Sequence, residues 1–236
     1  SAGIPAGTQG EKNSSLDHGV MVPLYFLEKN DFPYQLVRIS VSGLSPLTHY
    51  RFGQYIAKTS EALDRKVVLI ASGGVSHKLK DDGSYGFAKE GPEFDRQIVE
   101  SMKSADFLGF LYFEEEFCDA AAECGLRSFI TMAGALDGKA VMPHFLSYEG
   151  PFGVGYGICY YEICGNDNSR HFGDQLLLTQ QKQLSAIRDS EDPYVKLARQ
   201  SLEHHIKNGG RLTLPDGLPA EMTGRAAGVF VSLKKE

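Results

Sequence analysis

Val67-Val68-Leu69-Ile70-Ala71-Ser72-Gly73-Gly74-Val75-Ser76-His77-Lys78-Leu79 is the stretch on which the fold turns. Apolar residues run out into Ser-Gly-Gly, the pattern of a short strand that ends in a turn. A second run of the same kind, residues 36–41, ends at Ser42-Gly43, and residues 50–63 between the two have helical length and pattern. Strand, helix and strand in that order make a βαβ unit, which implies parallel pairing. The fold class read from this is α/β, with a largely parallel or mixed central sheet flanked by helices.

Further along, Gly91-Pro92-Glu93-Phe94-Asp95 opens a second helix, with Phe94, Ile98, Val99 and Met102 at helical spacing. Residues 117–136 read as a third helical stretch. The glycine-rich segment 148–157 reads as a turn that leads into a late strand over 158–163. Residues 165–191 are mostly polar and read as a linker, whose leucines could anchor a short helical piece. A new unit opens at Asp192-Pro193, a cap followed by a first-turn proline. Tyr194, Leu197, Ala198, Leu202 and Ile206 form its apolar stripe, and Gly209-Gly210 close it. Residues 229–236 read as one strand of an unfinished sheet. The expected domains are residues 1–164, a linker over 165–191, and a partial α+β unit over 192–236.

Composition narrows the function classes. The chain has 236 residues, 42% of them hydrophobic, and a formal charge of -6 without any Lys/Arg-rich stripe, so nucleic acid is not an expected partner. No apolar run approaches the roughly 20 residues needed to cross a bilayer, and the N-terminus lacks the basic flank and apolar centre of a signal peptide. No membrane partner is expected, and the cytoplasm is the default location. Cys118, Cys124, Cys159 and Cys164 show no CxxC spacing and read as reduced thiols.

A strand that runs out into small residues puts the residues after it at its carboxyl end, where open α/β sheets bind ligands. His77 stands there. Gly73 and Gly74 let backbone approach a ligand, and Ser76 could hydrogen-bond a ring nitrogen or a substrate oxygen. A plain turn with a solvated histidine is the competing reading. His18, in Leu16-Asp17-His18-Gly19, is a second candidate, set against an ordinary capped helix start. His49 at a helix start, His144 in a loop, His171 in the linker and the adjacent His204-His205 read as structural. Glu123-Cys124 offers a carboxylate and a thiolate as metal ligands of different softness. Otherwise Cys124 packs in a helix and Glu123 faces water. Glu114-Glu115-Glu116 reads as a solvated helix face.

These residues carry a resemblance. LDHGVMVPLYF, ISVSGLSPLTHYRFG, IASGGVSHKL with YGFAKEGPEFD, AECGLRSFITMAGALDG and LSYEGPFGVGYGI, in that order, resemble the class III extradiol ring-cleavage dioxygenase superfamily (LigB-type) over residues 2–163. The nearest branch looks like the Memo-like proteins of the AmmeMemoRadiSam system. DPYVKLARQSLEHHIKNGGRL, LPDGLP and RAAGVFVSLKK resemble the first part of an AMMECR-type domain.

The resemblance implies an Fe(II) enzyme, with another divalent metal or copper as alternatives, that opens a small aromatic, catechol-type ring with dioxygen. By position, His18 and His77 match the acid/base histidines, with Gly73, Gly74 and Ser76 beside the substrate. Cys124 matches the third ligand of Memo-like proteins, and Glu123 is the neighbouring candidate for the glutamate of ring-cleaving enzymes. The resemblance also places two histidine ligands upstream of Ser1, in PHPP-like and SPHS-like motifs that this sequence lacks. Many members of the branch read ASGDLSH where this chain has Gly74 and Val75. A homodimer is compatible with the resemblance. The alternative function it implies is a metal-binding or redox partner of a radical-SAM protein that cleaves no ring.

Overall fold

Helix starts are set by local chemistry. In the computed structural model, which describes residues 15–30 and 33–224, the Asp17 carboxylate accepts the Val20 N–H at 3.0 Å and opens α1 (His18–Leu27). Ser45 caps α2 (Pro46–Ala62) through the Thr48 N–H, with Pro46 in its first turn, where a missing N–H costs nothing. Then come α3 (Glu90–Ser104), the short α4 (Phe107–Phe110), α5 (Glu115–Ala121) and α6 (Leu126–Ala135). The strands β1 (Lys139–Glu149) and β2 (Tyr156–Asn166) precede α7 (Phe172–Asp189), α8 (Pro193–Asn208) and α9 (Ala220–Thr223). No described helix is long and apolar enough to cross a membrane.

The architecture mixes helix and strand, but the expected sheet is not the observed one. Among the described residues the sheet has two strands. β1 pairs antiparallel with β2 from Lys139↔Asn166 to Glu149↔Tyr156, with irregularities at Ala140/Val141 and Phe145/Ser147. Residues 36–41 and 67–71 run without strand pairing, and Val37 and Val68 are 79% and 87% exposed. Side-chain pattern reports β-branched stiffness, whereas a strand also needs a neighbour for its N–H and C=O groups. The parallel βαβ pairing is therefore absent from the described residues. The late strand, expected over 158–163, lies within β2. β1 went unread, and His144, expected in a loop, sits on it, stacked on Tyr160 at 4.4 Å and 3.5 Å from Glu162.

The core lies among α2, α3, α4, α6 and the strands, around Tyr50, Phe94, Ile98, Phe107, Phe110 and Ile130. α2 and α6 meet backbone to backbone. A β-carbon on Gly134 would fall 1.9 Å from the Tyr50 carbonyl oxygen, and one on Gly53 would fall 1.9 Å from that of Thr131. Tyr50 is fully buried and donates its hydroxyl to Asp137 Oδ1 at 2.6 Å, so burial and that carboxylate push its acidity far below normal. Asp137 Oδ2 takes His171 Nδ1 at 2.8 Å. His171 is thus paired across α6 and the turn before α7.

The 165–191 stretch is not a structureless linker. It holds the end of β2, a 3-10 turn over Asn168–Arg170 and α7, whose Gly173 and Leu176 are buried. The chain divides into two compact units, residues 1–176 and 177–236. Within the second, Arg199 bonds both oxygens of Glu191, at 2.8 Å and 2.6 Å, beside Glu203. The expected strand over 229–236 lies outside the described residues.

Gly134→Ala should cost about 3 kcal/mol or more, because two backbones would have to separate, whereas Gly43→Ala, in open space, should stay within about 0.5 kcal/mol. Chemical denaturation of both variants checks this. His171 supplies a second expectation. The Asp137 hydrogen bond and charge raise its folded pKa above 6.5. Protonation therefore stabilises the fold fully below the unfolded value, and that stabilisation is lost as pH rises through the raised folded one. The melting-temperature advantage over His171→Gln should be greatest near pH ~5.5 and shrink above neutrality. A gap that ignores pH would contradict the pairing.

Candidate active site

The turn that carries His77 is pinned residue by residue. Val75 N–H donates to the Gly155 carbonyl at 2.8 Å, Ser76 N–H to Asp95 Oδ1 at 2.8 Å, and His77 N–H to the Ala121 carbonyl at 3.1 Å. The Gly155 N–H returns a bond to the Ser76 carbonyl at 2.8 Å. The residue before β2, helix α3 and the end of α5 thus converge on three consecutive peptide groups.

The imidazole is fixed as well. His77 Nδ1 is hydrogen-bonded to the Ala122 carbonyl, and a carbonyl can only accept, so Nδ1 carries the hydrogen. Ala122 presents that oxygen from the left-handed position that ends α5. Nε2 is then the basic nitrogen of the neutral ring. It looks toward Cys124 Sγ, 3.9 Å away, while the Tyr85 ring lies against the imidazole at 5.0 Å and a tilt of 34°. Tyr85 comes from a loop closed by the Leu79–Phe87 bridge.

Residues 117–136 form two helices, not one, and the break between them builds this corner. Residues 122–125 carry the Ala122 carbonyl, Glu123, Cys124 and Gly125. Glu123 accepts the N–H of Leu126, the first residue of α6, at 2.7 Å, and burial raises its pKa. Cys124 remains exposed and accepts the Gly74 N–H at 3.1 Å. Partial desolvation raises the pKa of its thiol. The Gly73 and Gly125 backbones touch, since a β-carbon on Gly73 would lie 2.3 Å from Gly125 Cα. One on Gly74 would lie 3.0 Å from His77 Nε2 and 3.5 Å from Cys124 Sγ.

Ser76 does not face the cleft. It is wholly buried, and its Oγ makes no well-formed hydrogen bond of its own. Its main chain is what matters here, through Asp95. His18 is exposed at the first residue of α1, and a β-carbon on neighbouring Gly19 would sit 3.7 Å from Ser72 Oγ. The structure therefore brings the start of α1 beside Ser72, five residues before His77, without fixing the His18 ring. Among the described residues no three His, Cys, Asp or Glu side chains converge as a metal site.

Asp95 escaped sequence reading, yet it is 2% exposed and receives both the Ser76 N–H and the Tyr148 hydroxyl. Burial pushes its carboxyl above the ordinary range, against the opposing pull of Tyr148, Ser76 and the nearby His77. Burial and Asp95 together push the Tyr148 hydroxyl well above the phenol range. The signal was present in the sequence: positions 95, 98, 99 and 102 share one apolar helix face, and a carboxylate on that face needs a reason. Tyr85 gave no comparable signal.

Comparison with known proteins adds to this geometry. Residues 1–159 match the family described as the catalytic LigB subunit of aromatic ring-opening dioxygenase. The chain is 40% identical over 221 residues to Protein CA_C1420 of Clostridium acetobutylicum, covering 93% of this chain and 47% of that protein. It is 26% identical over 153 residues to a 3,4-dihydroxyphenylacetate 2,3-dioxygenase of Escherichia coli, covering 58% and 54%. The chain spans about half the length of the curated relatives it matches.

Cys124 and Cys118 should separate by reactivity. Cys118 is buried on α5, and burial with Glu123 nearby pushes its thiol up to about 12. With iodoacetamide near pH ~8.5, Cys124 should alkylate in the native protein and Cys118 only after unfolding, as read by peptide mass spectrometry. Native labelling of Cys118 at the Cys124 rate would contradict this packing.

Proposed function

The chain belongs to the family of catalytic LigB subunits of aromatic ring-opening dioxygenases, and on that footing we propose that it takes part in extradiol cleavage of a catechol-type ring by dioxygen. The observation that carries the reading is the His77 imidazole. Its Nδ1–H is held by the Ala122 carbonyl, and its Nε2 is open beside Gly74, where no side chain intervenes.

The fixed tautomer gives His77 a definite proton role. Nε2 takes a proton from a catechol hydroxyl, and the Ala122 carbonyl stabilises the cation that results. The same nitrogen can return the proton as the ring opens. His18, at the start of α1 beside Ser72, is the second acid/base group of the proposal. Gly73 and Gly74 leave bare backbone against which a planar ring can lie. Both atoms of dioxygen enter the ring-opened product.

Fe(II) is the proposed cofactor of the reaction. The described residues do not make up an iron centre: Glu123 is engaged with the α6 terminus, and Cys124 has His77 alone among nitrogen ligands beside it. The roles above therefore concern protons and positioning only. Cys124 supports a second reading, a Memo-like metal-binding or redox partner of a radical-SAM protein, because a thiolate suits softer metals such as copper better than a carboxylate does. The resemblance of residues 192–236 to the first part of an AMMECR-type domain goes with that reading.

Oxygen uptake should decide. With the full-length natural protein supplied with Fe(II) under anaerobic conditions and a panel of catechols then tested in air, we expect uptake with a yellow ring-opened product. His77→Ala should cut kcat by about 10²- to 10⁴-fold, with a loss of about 1 kcal/mol in stability from its hydrogen bond. No uptake despite stoichiometric iron would turn the assignment to the partner role.

A further inference from the structure

Three consecutive peptide N–H groups hold the His77 turn, and their acceptors differ in kind. Val75 and His77 donate to the main-chain carbonyls of Gly155 and Ala121, whereas Ser76 donates to a side chain, Asp95 Oδ1 at 2.8 Å. We propose that Asp95, braced by Tyr148, is the positioning residue that fixes the 74–77 turn and through it the orientation of the His77 imidazole. The proposal rests on the reading of His77 as the acid/base group.

The surroundings are built for this carboxylate. Tyr148, from the end of β1, donates its hydroxyl to Oδ2, so each oxygen has one donor from a different element. Gly155, at the start of the β2 hairpin arm, packs so close that a β-carbon there would fall 2.1 Å from Oδ2 and 3.1 Å from Val75 Cβ. Gly155 also bonds the main chain on both sides of the Val75–Ser76 peptide. The carboxylate, the turn and the hairpin end thus lock each other, and the lock ends one residue from the imidazole.

An apolar side chain would suit the face that holds Phe94's neighbours Ile98, Val99 and Met102 better than a buried acid, which is costly unless its oxygens are satisfied. What the acid supplies is a side-chain oxygen placed to accept the Ser76 N–H, while its second oxygen is held by the Tyr148 hydroxyl. Misplacing a reacting nitrogen by about 1 Å can cost about 10²-fold in rate. Asp95 is 2% exposed and reaches the turn by its bond to the Ser76 N–H, with an electrostatic interaction with His77 beside it.

The test uses the full chain with selectively 15N-labelled serine and histidine. Wild type should show a slowly exchanging Ser76 amide and one Nδ1–H tautomer for neutral His77. In Asp95→Leu, the Ser76 amide should exchange at least about tenfold faster, and the His77 ring signals should move toward a mixture of tautomers. Asp95→Asn keeps an acceptor oxygen and should restore both. In the ring-opening assay Asp95→Leu should lower kcat by about 10²-fold with KM nearly unchanged, and Asp95→Asn should recover most of it. If Asp95→Leu does not fold, Tyr148→Phe removes the brace and should produce the same shifts at smaller size.

His77 ring signals unchanged in a folded Asp95→Leu or in Tyr148→Phe would overturn the proposal, as would a change in KM alone. Should wild type open no ring, the functional reading fails, and the histidine signals still decide the role of Asp95.

Discussion

A carboxylate with no water around it must find its donors in the protein, and Asp95 is where this requirement organises the candidate site. Removing such a group from solvent costs several kcal/mol unless its oxygens are hydrogen-bonded. Here one oxygen takes the Ser76 N–H from the turn and the other takes the Tyr148 hydroxyl from β1, with Gly155 packed against the second. Helix α3, the turn, β1 and the residue before β2 are therefore joined at a point. The hairpin contributes more than a sheet face, since its closing residues 153–155 bond Val75, Ser76 and Leu79 through the main chain.

The break between α5 and α6 is the second organising feature. Ala122 ends α5 in the left-handed region and turns its carbonyl onto His77 Nδ1, which settles the tautomer. Two residues later Cys124 takes the Gly74 N–H, and between them Glu123 turns to the first residue of α6. A four-residue connection thus sets the ring, faces its free nitrogen with sulfur and satisfies the next helix. The sequence pair Glu123-Cys124 offered two groups, and their contacts differ: the Glu123 carboxylate takes the Leu126 N–H, whereas the exposed Cys124 sulfur takes the Gly74 N–H and lies 3.9 Å from His77 Nε2.

Legibility in the sequence followed the range of the interaction. Asp17 and Asp192-Pro193 announce their helices because a cap acts over three residues, whereas α2 begins at Pro46, ahead of the pattern read from residue 50. The Ser-Gly-Gly turn before His77 could be placed for the same reason. Residues 36–41 and 67–71 read as strands because β-branched residues favour extended backbone, but their pairing depends on partners that a local pattern cannot name. β1 was hidden by Pro143 and His144 in its middle and by a register interrupted twice. The polar stretch 165–191 hid α7, whose Gly173 is set by contact with the Tyr50 ring, a partner far earlier in the chain. Asp95 was visible as an acid on an apolar face, but the N–H it serves lies 19 residues away, and only folding brings the two together.

Gly74 is the position at which the two functional readings part on physical grounds. A β-carbon there would lie 3.0 Å from His77 Nε2, 3.3 Å from Val154 and 3.5 Å from Cys124 Sγ, so any side chain at 74 would start its path over the imidazole. In sequences that read ASGDLSH at this point, that side chain is a carboxylate. An acid so placed would compete with an incoming hydroxyl for Nε2 and hold it as a charge partner. With glycine, the nitrogen has Cys124 Sγ at 3.9 Å and no side chain from position 74, while the Tyr85 ring lies against the imidazole at 5.0 Å. Under the proposed ring-opening role a base must be free to take a proton from substrate, and a position without a side chain suits that role, whereas the thiol nearby suits a softer metal.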